Sequence, residues 1–337
     1  MENKNYLYDN YLNMARNLKS ERNLLKALKF YKKAYALNIG KTDIEFLLDM
    51  ALLYDEIGLI KEAEEKYLEI INLDENEPRA YYGLGTIYDE LGDLSKAKEY
   101  YKISIQKDSS YDKAYFFLAN IYDELGDKEK AILNYKKTIE LNNNDLWGYA
   151  NVACIFEELD RNEEALKYIN RALEINPKHY RILFNKAVIS NKLHKKQEAI
   201  DYYKKSIVAN PTYTYSFLNL AVIYREDNDF TTAINIINKG IEINPEEGFL
   251  YYNRACFYVN TKELLKALKI EINPEEGFLY YNRACFYVNT KELLKALKDV
   301  EKCIELNDLF LNYMKKDKEL DPIRDLKEYK KFINNIT

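Results

Sequence analysis

The chain has 337 residues, of which 47% are hydrophobic and 31% charged, and a formal net charge of −5. That apolar share excludes wholesale disorder, and the mixing of acidic and basic residues leaves no Lys/Arg block of the kind that grips nucleic acid. No apolar run reaches the roughly 18–20 residues of a membrane span.

The start, "MENKNYLYDN", is polar and lacks the apolar stretch of a secretory signal, so residues 1–7 are expected to be a tail. From there the chain repeats itself. "YYGLGTIYDELGDLSKAKEYY" from Tyr81 matches "YFFLANIYDELGDKEKAILNY" from Tyr115, an offset of 34. In steps of 34 a small residue recurs at Ala51, Gly85, Ala119, Ala153, Ala187, Ala221 and Ala255. A second series falls at Ala63, Ala97, Ala131, Ala165, Ala199, Ala233 and Ala267, and Pro177, Pro211 and Pro245 close several units. An earlier unit aligns more loosely on Tyr11, Ala15, Ala27, Tyr31 and Ala34, with two extra residues before the next. With only 10 Gly and 6 Pro, each unit reads as two helices joined by a short turn, and "ELGD" and "EIGL" supply a glycine to end the first helix. One such hairpin is too small to bury its own apolar face, so neighbours must stack.

The pattern of an aromatic, Leu-Gly, Tyr, Ala, an aromatic and Pro at fixed offsets resembles the tetratricopeptide repeat. Tyr81, Leu84, Gly85, Tyr88, Gly92, Ala97 and Tyr101 fit it almost completely. The resemblance covers residues 8–310, in about nine repeats starting near 8, 44, 78, 112, 146, 180, 214, 248 and 277. It implies an all-α fold, an α-solenoid coiled as a right-handed superhelix, with the first helix of each hairpin lining a concave groove. The tail 311–337, with "DKELDPIRDLKEYKKFI", is similar to the capping helix that closes such arrays.

One step breaks the period. "IEINPEEGFLYYNRACFYVNTKELLKALK" runs from Ile241 to Lys269 and again, unchanged, from Ile270 to Lys298, a block of 29. The second copy continues into "DVEKC"; the first lacks those five residues. Five helical residues turn the chain by about 500° and advance it roughly 7.5 Å, not a whole number of turns. A shortened helix over Lys262–Ile272 and a packing defect near 269–275 are therefore expected. Deleting one copy leaves 308 residues in one unbroken register.

In the resembled family, fixed positions of each first helix face the groove. Here one of them holds Asn151, Asn185, Asn219 and Asn253, then Asn282 after the irregular step. Each amide can donate to and accept from an extended backbone, so the row is expected to grip a partner peptide. The pairs Asp55/Glu56, Asp89/Glu90, Asp123/Glu124 and Glu157/Glu158 end their helices, where carboxylates oppose the helix dipole. Glu90, Glu124 and Glu158 are thus candidates for meeting a basic partner at repeats 2–5; the alternative is a solvated edge offset by Lys96 and Lys130. Tyr82, Phe116, Trp147, Arg181 and Tyr215 are candidate anchors, being of hot-spot type, with Trp147, the single tryptophan, preferred. A carboxylate clamp for chaperone tails is not expected: Leu48, Tyr82, Phe116, Ala150, Phe184 and Leu218 stand where it needs lysine, and Asn120 alone fits its asparagine.

Catalysis is not expected. His179 and His194, the two histidines, have no nucleophile partner at a meaningful spacing, and no phosphate loop or zinc spacing occurs. No cofactor or metal is expected; the four cysteines read as reduced thiols of a cytoplasmic protein. The expected function is a scaffold binding an extended segment of a partner protein, with neither nucleic acid nor membrane involved. A peptide-sensing regulator and a self-associating assembly are the alternatives; about seven residues before the first repeat leave no room for the output module such regulators carry.

Overall fold

The computed structural model describes residues 2–37, 40–260, 277–289, 291–306, 311, 314–315 and 317–336. Among these there are nineteen α-helices, two short 3-10 turns and no strand. The fold is an all-α solenoid of helical hairpins, in two compact units, Met1–Ile175 and Asn176–Thr337.

In the first unit the hairpins are α1 (Glu2–Ser20) with α2 (Leu24–Tyr35), α3 (Ile44–Glu56) with α4 (Ile60–Leu73), α5 (Pro78–Glu90) with α6 (Leu94–Lys107), α7 (Asp112–Glu124) with α8 (Lys128–Leu141), and α9 (Leu146–Glu158) with α10 (Asn162–Ile175). Each second helix also packs on the first helix of the next hairpin, from α2 on α3 to α8 on α9. Helix α1 starts at Glu2, so the expected tail is helical instead. No Gly or Pro interrupts its first two turns, and Tyr8 is anchored by donating to Asp43 Oδ2 at 2.8 Å.

Why these hairpins close is visible in three periodic devices. Among the described residues every turn between paired helices passes through the left-handed region, at Gly58, Gly92 and Gly126 and also at Arg22, Asp160, His194, Asn228 and Lys291. Glycine adopts it freely, whereas the others tolerate it at a cost of about 1 kcal/mol or more. Asp93, Asp127 and Asp229 then cap the second helices by accepting from the backbone N–H of Lys96, Lys130 and Thr232. Last, in α6 and in the helix Lys196–Ala209 a buried serine hydroxyl pins the second helix to the start of its partner. Ser104 Oγ donates to the Pro78 carbonyl at 2.9 Å, and Ser206 Oγ to that of Tyr180 at 2.8 Å.

The core is a column of second-helix side chains, Tyr31, Tyr67, Tyr101 and Tyr135 in the first unit, all but fully buried. Small first-helix residues make room for them. A Cβ on Gly83 would lie 2.2 Å from Tyr67 Cζ, and one on Gly85 2.5 Å from Tyr101 Cδ1. The motif's Leu-Gly is therefore a ring seat.

The second unit pairs α11 (Tyr180–Lys192) with α12 (Lys196–Ala209) and α13 (Tyr215–Glu226) with α14 (Phe230–Ile243). Next, α15 (Gly248–Asn260) packs on α14, and α16 (Gly277–Asn289) pairs with α17 (Leu293–Leu306). The expected defect near 269–275 and the helix over Lys262–Ile272 lie outside the described residues. The flanking helices still show the effect of the duplication. Arg254 Nη1 donates to Asn238 Oδ1 of α14 at 3.0 Å. Arg283, its counterpart in the second copy, instead forms two bonds of 2.6 and 2.7 Å to Asp299 of α17. Asp299 belongs to the five residues the first copy lacks, and Ile270 stands at the matching distance from Arg254.

The C-terminal cap is not one helix. Pro322 fits only a first helical turn, so a 3-10 turn (Lys318–Leu320) leads into α18 (Asp321–Arg324), followed by α19 (Lys327–Ile336). Leu320 and Ile323 are buried in one cluster with Tyr281, Val288 and Val300 of the last hairpin.

Candidate functional site

The first helices α5, α7 and α9 carry the candidate residues of the first unit. Gly83, Phe117 and Asn151 are equivalent in the repeat, and each meets the buried tyrosine of the preceding hairpin. Tyr67 lies on Gly83, Tyr101 stacks with Phe117 at 5.9 Å, and Asn151 Nδ2 donates to the Tyr135 hydroxyl at 3.1 Å. That hydroxyl in turn donates to Asn120 Oδ1. Asn151 is thus half engaged in holding repeats together, while its amide lines a pocket of about 320 Å³ with Asn120, Asp123, Glu124 and Cys154.

In the second unit, Asn219 Nδ2 donates to the Tyr215 carbonyl at 2.9 Å and Asn253 Nδ2 to the Phe249 carbonyl at 2.8 Å, one turn back in their own helices. Asn185 is partly exposed on α11. The Asn282 side chain lies outside the described residues. The asparagines therefore stand on the expected helices, but part of their donor capacity is already spent.

The candidate anchors divide into two kinds. Tyr82 packs edge-on against Tyr111 and Phe117 of the next repeat, and Phe116 against Phe117 and Tyr135 within its own hairpin, so both are packing residues. Trp147 at 40% exposure and Tyr215 at 56% are surface rings in the first turns of α9 and α13. Arg181 is exposed at the start of α11, its Nε donating to the Tyr180 hydroxyl at 3.2 Å.

The acidic positions are coupled along a diagonal. Asp55 and Glu90, one repeat apart, both have raised carboxyl pKa values. Burial is the larger cause for each, and for Glu90 the charge on Asp55 adds to it. Asp89 is raised in the same way, by burial and then by Glu124. The third diagonal, Asp123 with Glu158, is bridged by Lys128, whose Nζ lies 2.6 Å from Asp123 Oδ1 and 2.6 Å from Glu158 Oε2. Lys96 and Lys130 do not offset these pairs; they turn to Asp93 and Asp127, the caps of their own helices. Lys128 is a site residue that the repeat pattern alone does not reveal. Its signal is a cation where equivalent positions hold Ile60 and Leu94.

Asp55 is the least compensated of these groups, because its Oδ1 is buried with no hydrogen-bond partner. With its folded pKa above the ordinary 3.8, the folded state binds its proton more tightly than the unfolded state. Its contribution is therefore favourable below that value and is lost as pH rises through the folded pKa. Asp55→Asn is accordingly expected to raise the urea midpoint at pH 7 and to match the wild type below pH 3.8. A variant no more stable at pH 7 would show the carboxylate to be well solvated.

The two histidines flank α11. His179 caps α11 with its ring stacked on Tyr180, and His194 occupies the left-handed turn after that helix. Among the described residues no three His, Cys, Asp or Glu side chains are grouped to hold a metal, and no helix is long and apolar enough to cross a membrane.

Models of the tetratricopeptide repeat match residues 78–106, 112–145, 153–214, 202–235 and 279–308, together just over half of the chain. The chain belongs to the tetratricopeptide repeat family. Members of this family generally serve as non-catalytic interaction modules. Among solved structures, the C-terminal part of a tetratricopeptide repeat protein from Cytophaga hutchinsonii is 17% identical with a TM-score of 0.58, over 71% of this chain and 97% of that one. A tetratricopeptide repeat protein from Parabacteroides merdae is 20% identical with a TM-score of 0.54, over 71% and 98%. Pseudomonas aeruginosa pilF is 15% identical with a TM-score of 0.54, over 65% and 96%. At these identities the likeness is one of fold. No curated protein matches the sequence.

Proposed function

We propose that this tetratricopeptide repeat protein is a non-catalytic cytoplasmic scaffold that binds an extended segment of a partner protein across its first-helix faces. The observation that carries this reading is the pocket between α7 and α9. There the amides of Asn120 and Asn151 and the carboxylates of Asp123 and Glu124 converge on one opening. Amides can pair with a peptide backbone whatever its side chains, and the carboxylates favour a basic segment at repeats 2–5. Trp147, exposed at the start of α9, supplies an apolar anchor of the kind that dominates binding energy.

The test is a pull-down from the native cell with the wild type and with a chain carrying Asn151→Ala, Asn185→Ala and Asn219→Ala. Partner recovery is expected to fall about tenfold or more, the factor that roughly 1.4 kcal/mol of lost contacts produces.

A further inference from the structure

The C-terminal end of α12 departs from the other second helices. At the same register, three other repeats pair a cation with a carboxylate one turn on. These are Lys137 with Glu140 at 2.8 Å in α8, Arg171 with Glu174 in α10, and Lys302 with Glu305 at 3.0 Å in α17. In α12 the cation is Lys205, but Val208 stands in place of the carboxylate. Val208 is 82% exposed, more than any other large apolar side chain among the described residues. Lys204 also lacks what its equivalent has. Lys136 of α8 lies over the rings of Phe156 and Tyr168, whereas Lys204 meets neither a ring nor a carboxylate among the described residues. These side chains line a pocket of about 650 Å³ within the second unit. Its lining is apolar at Pro177, Leu183 and Val208 and cationic at Lys178, Lys204 and Lys205. Lys205 rests over the Tyr202 ring at 4.5 Å. Among the described residues none of the three lysines has an ion pair, and no carboxylate lines the pocket.

We propose that this pocket is a second docking site, taking an acidic segment of a partner protein by an apolar side chain and the carboxylates beside it. The charge pattern sets the chemistry of the occupant. A carboxylate supplied from outside takes the place that Glu140, Glu174 and Glu305 fill from within their own helices, and it meets lysines that carry donors alone. The apolar side chain covers Val208 and Leu183, removing exposed hydrocarbon from water. A single exposed ion pair contributes little, so affinity needs several cations grouped around one apolar pocket, as here. The volume lies within the range of roughly 300–1,000 Å³ usual for sites that enclose a ligand. The site goes beyond the first-helix groove, since none of Asn151, Asn185 and Asn219 lines it.

Val208→Glu should rebuild the internal pair with Lys205, and Val208→Ile keeps the position apolar. The probe is a fluorescein-labelled peptide with a leucine pair flanked by glutamates, read by anisotropy on the full chain. Control peptides carry glutamine for glutamate or serine for leucine. The wild type and Val208→Ile are expected to bind the probe equally, and each control at least about tenfold more weakly. Val208→Glu is expected to weaken the probe about tenfold. Lys204→Gln with Lys205→Gln should do the same, which keeps the test decisive if Val208→Glu misfolds. The chain with Asn151→Ala, Asn185→Ala and Asn219→Ala should bind the probe as the wild type does. No binding of the probe, equal binding of a control, or Val208→Glu behaving as Val208→Ile would each overturn the site. So would loss of the probe in the asparagine variant, which would place the peptide in the groove. Light scattering that shows a dimer abolished by Val208→Glu would overturn it in favour of a second copy of this chain, and displacement of the probe by laurate but not by unlabelled peptide in favour of a fatty acid.

Discussion

Tyr101→Ala is expected to destabilise the unit Met1–Ile175 by about 3–5 kcal/mol, the cost of removing a large buried ring from a core that cannot collapse around the gap. Tyr101 is fully buried and contacts Tyr82 and Phe117, each with ring centroids at 5.9 Å. It is seated on Gly85 so closely that a methyl group there would clash. Each hairpin depends on its neighbours for burial, so the loss should spread to the repeats on either side. Urea unfolding followed by Trp147 fluorescence reports on this unit directly, because the single tryptophan lies in α9. Tyr101→Phe should cost far less, since the hydroxyl makes only a long 3.4 Å bond to Asp89. A loss below about 1 kcal/mol for the alanine variant would mean that the tyrosine column is not the core.

Asp299→Ala is expected to cost about 3 kcal/mol in the second unit, at the low end for breaking a buried ion pair because Arg283 keeps some contact with water. The Asp299 side chain is 7% exposed and that of Arg283 21%. The guanidinium is held between the rings of Tyr280 and Tyr287, and its pKa is raised chiefly by the bonds to Asp299. Removing the carboxylate leaves that cation without its bidentate partner in a pocket it shares with Lys295, Lys298 and Lys302. The same arginine in the first copy has no such carboxylate and uses Asn238, so Asn238→Ala should cost markedly less. Calorimetric melting of the two variants checks the order; equal losses would show that the duplicated arginines are interchangeable.

The hairpin order, the turn glycines and the buried tyrosines are legible in the sequence because one period of 34 governs them all. A residue that recurs every repeat is doing the same physical job each time. The candidate site is less legible because binding residues are those allowed to vary. Tyr82 and Phe116 are hot-spot types by composition, yet Tyr82 is spent on packing against the next repeat and Phe116 on packing within its own hairpin. Gly83, Phe117 and Asn151 answer the equivalent neighbouring tyrosine in three different ways, which becomes visible only once the hairpins are stacked. The bridging role of Lys128 depends on a contact between adjacent hairpins, which no single-repeat pattern contains. The ends depart from expectation for local reasons. Nothing breaks α1 before Tyr8, and Pro322 divides the cap.

The central claim is that the first-helix faces hold the partner. It is tested most directly by comparing two chains in the pull-down, one with Asn151, Asn185 and Asn219 changed to alanine and one with Leu133→Asp on the second helix α8, where that leucine is 67% exposed. The asparagine variant should lose most of the captured partner and the Leu133 variant none of it. Full recovery by the asparagine variant, or loss confined to the Leu133 variant, would place the partner elsewhere on the molecule.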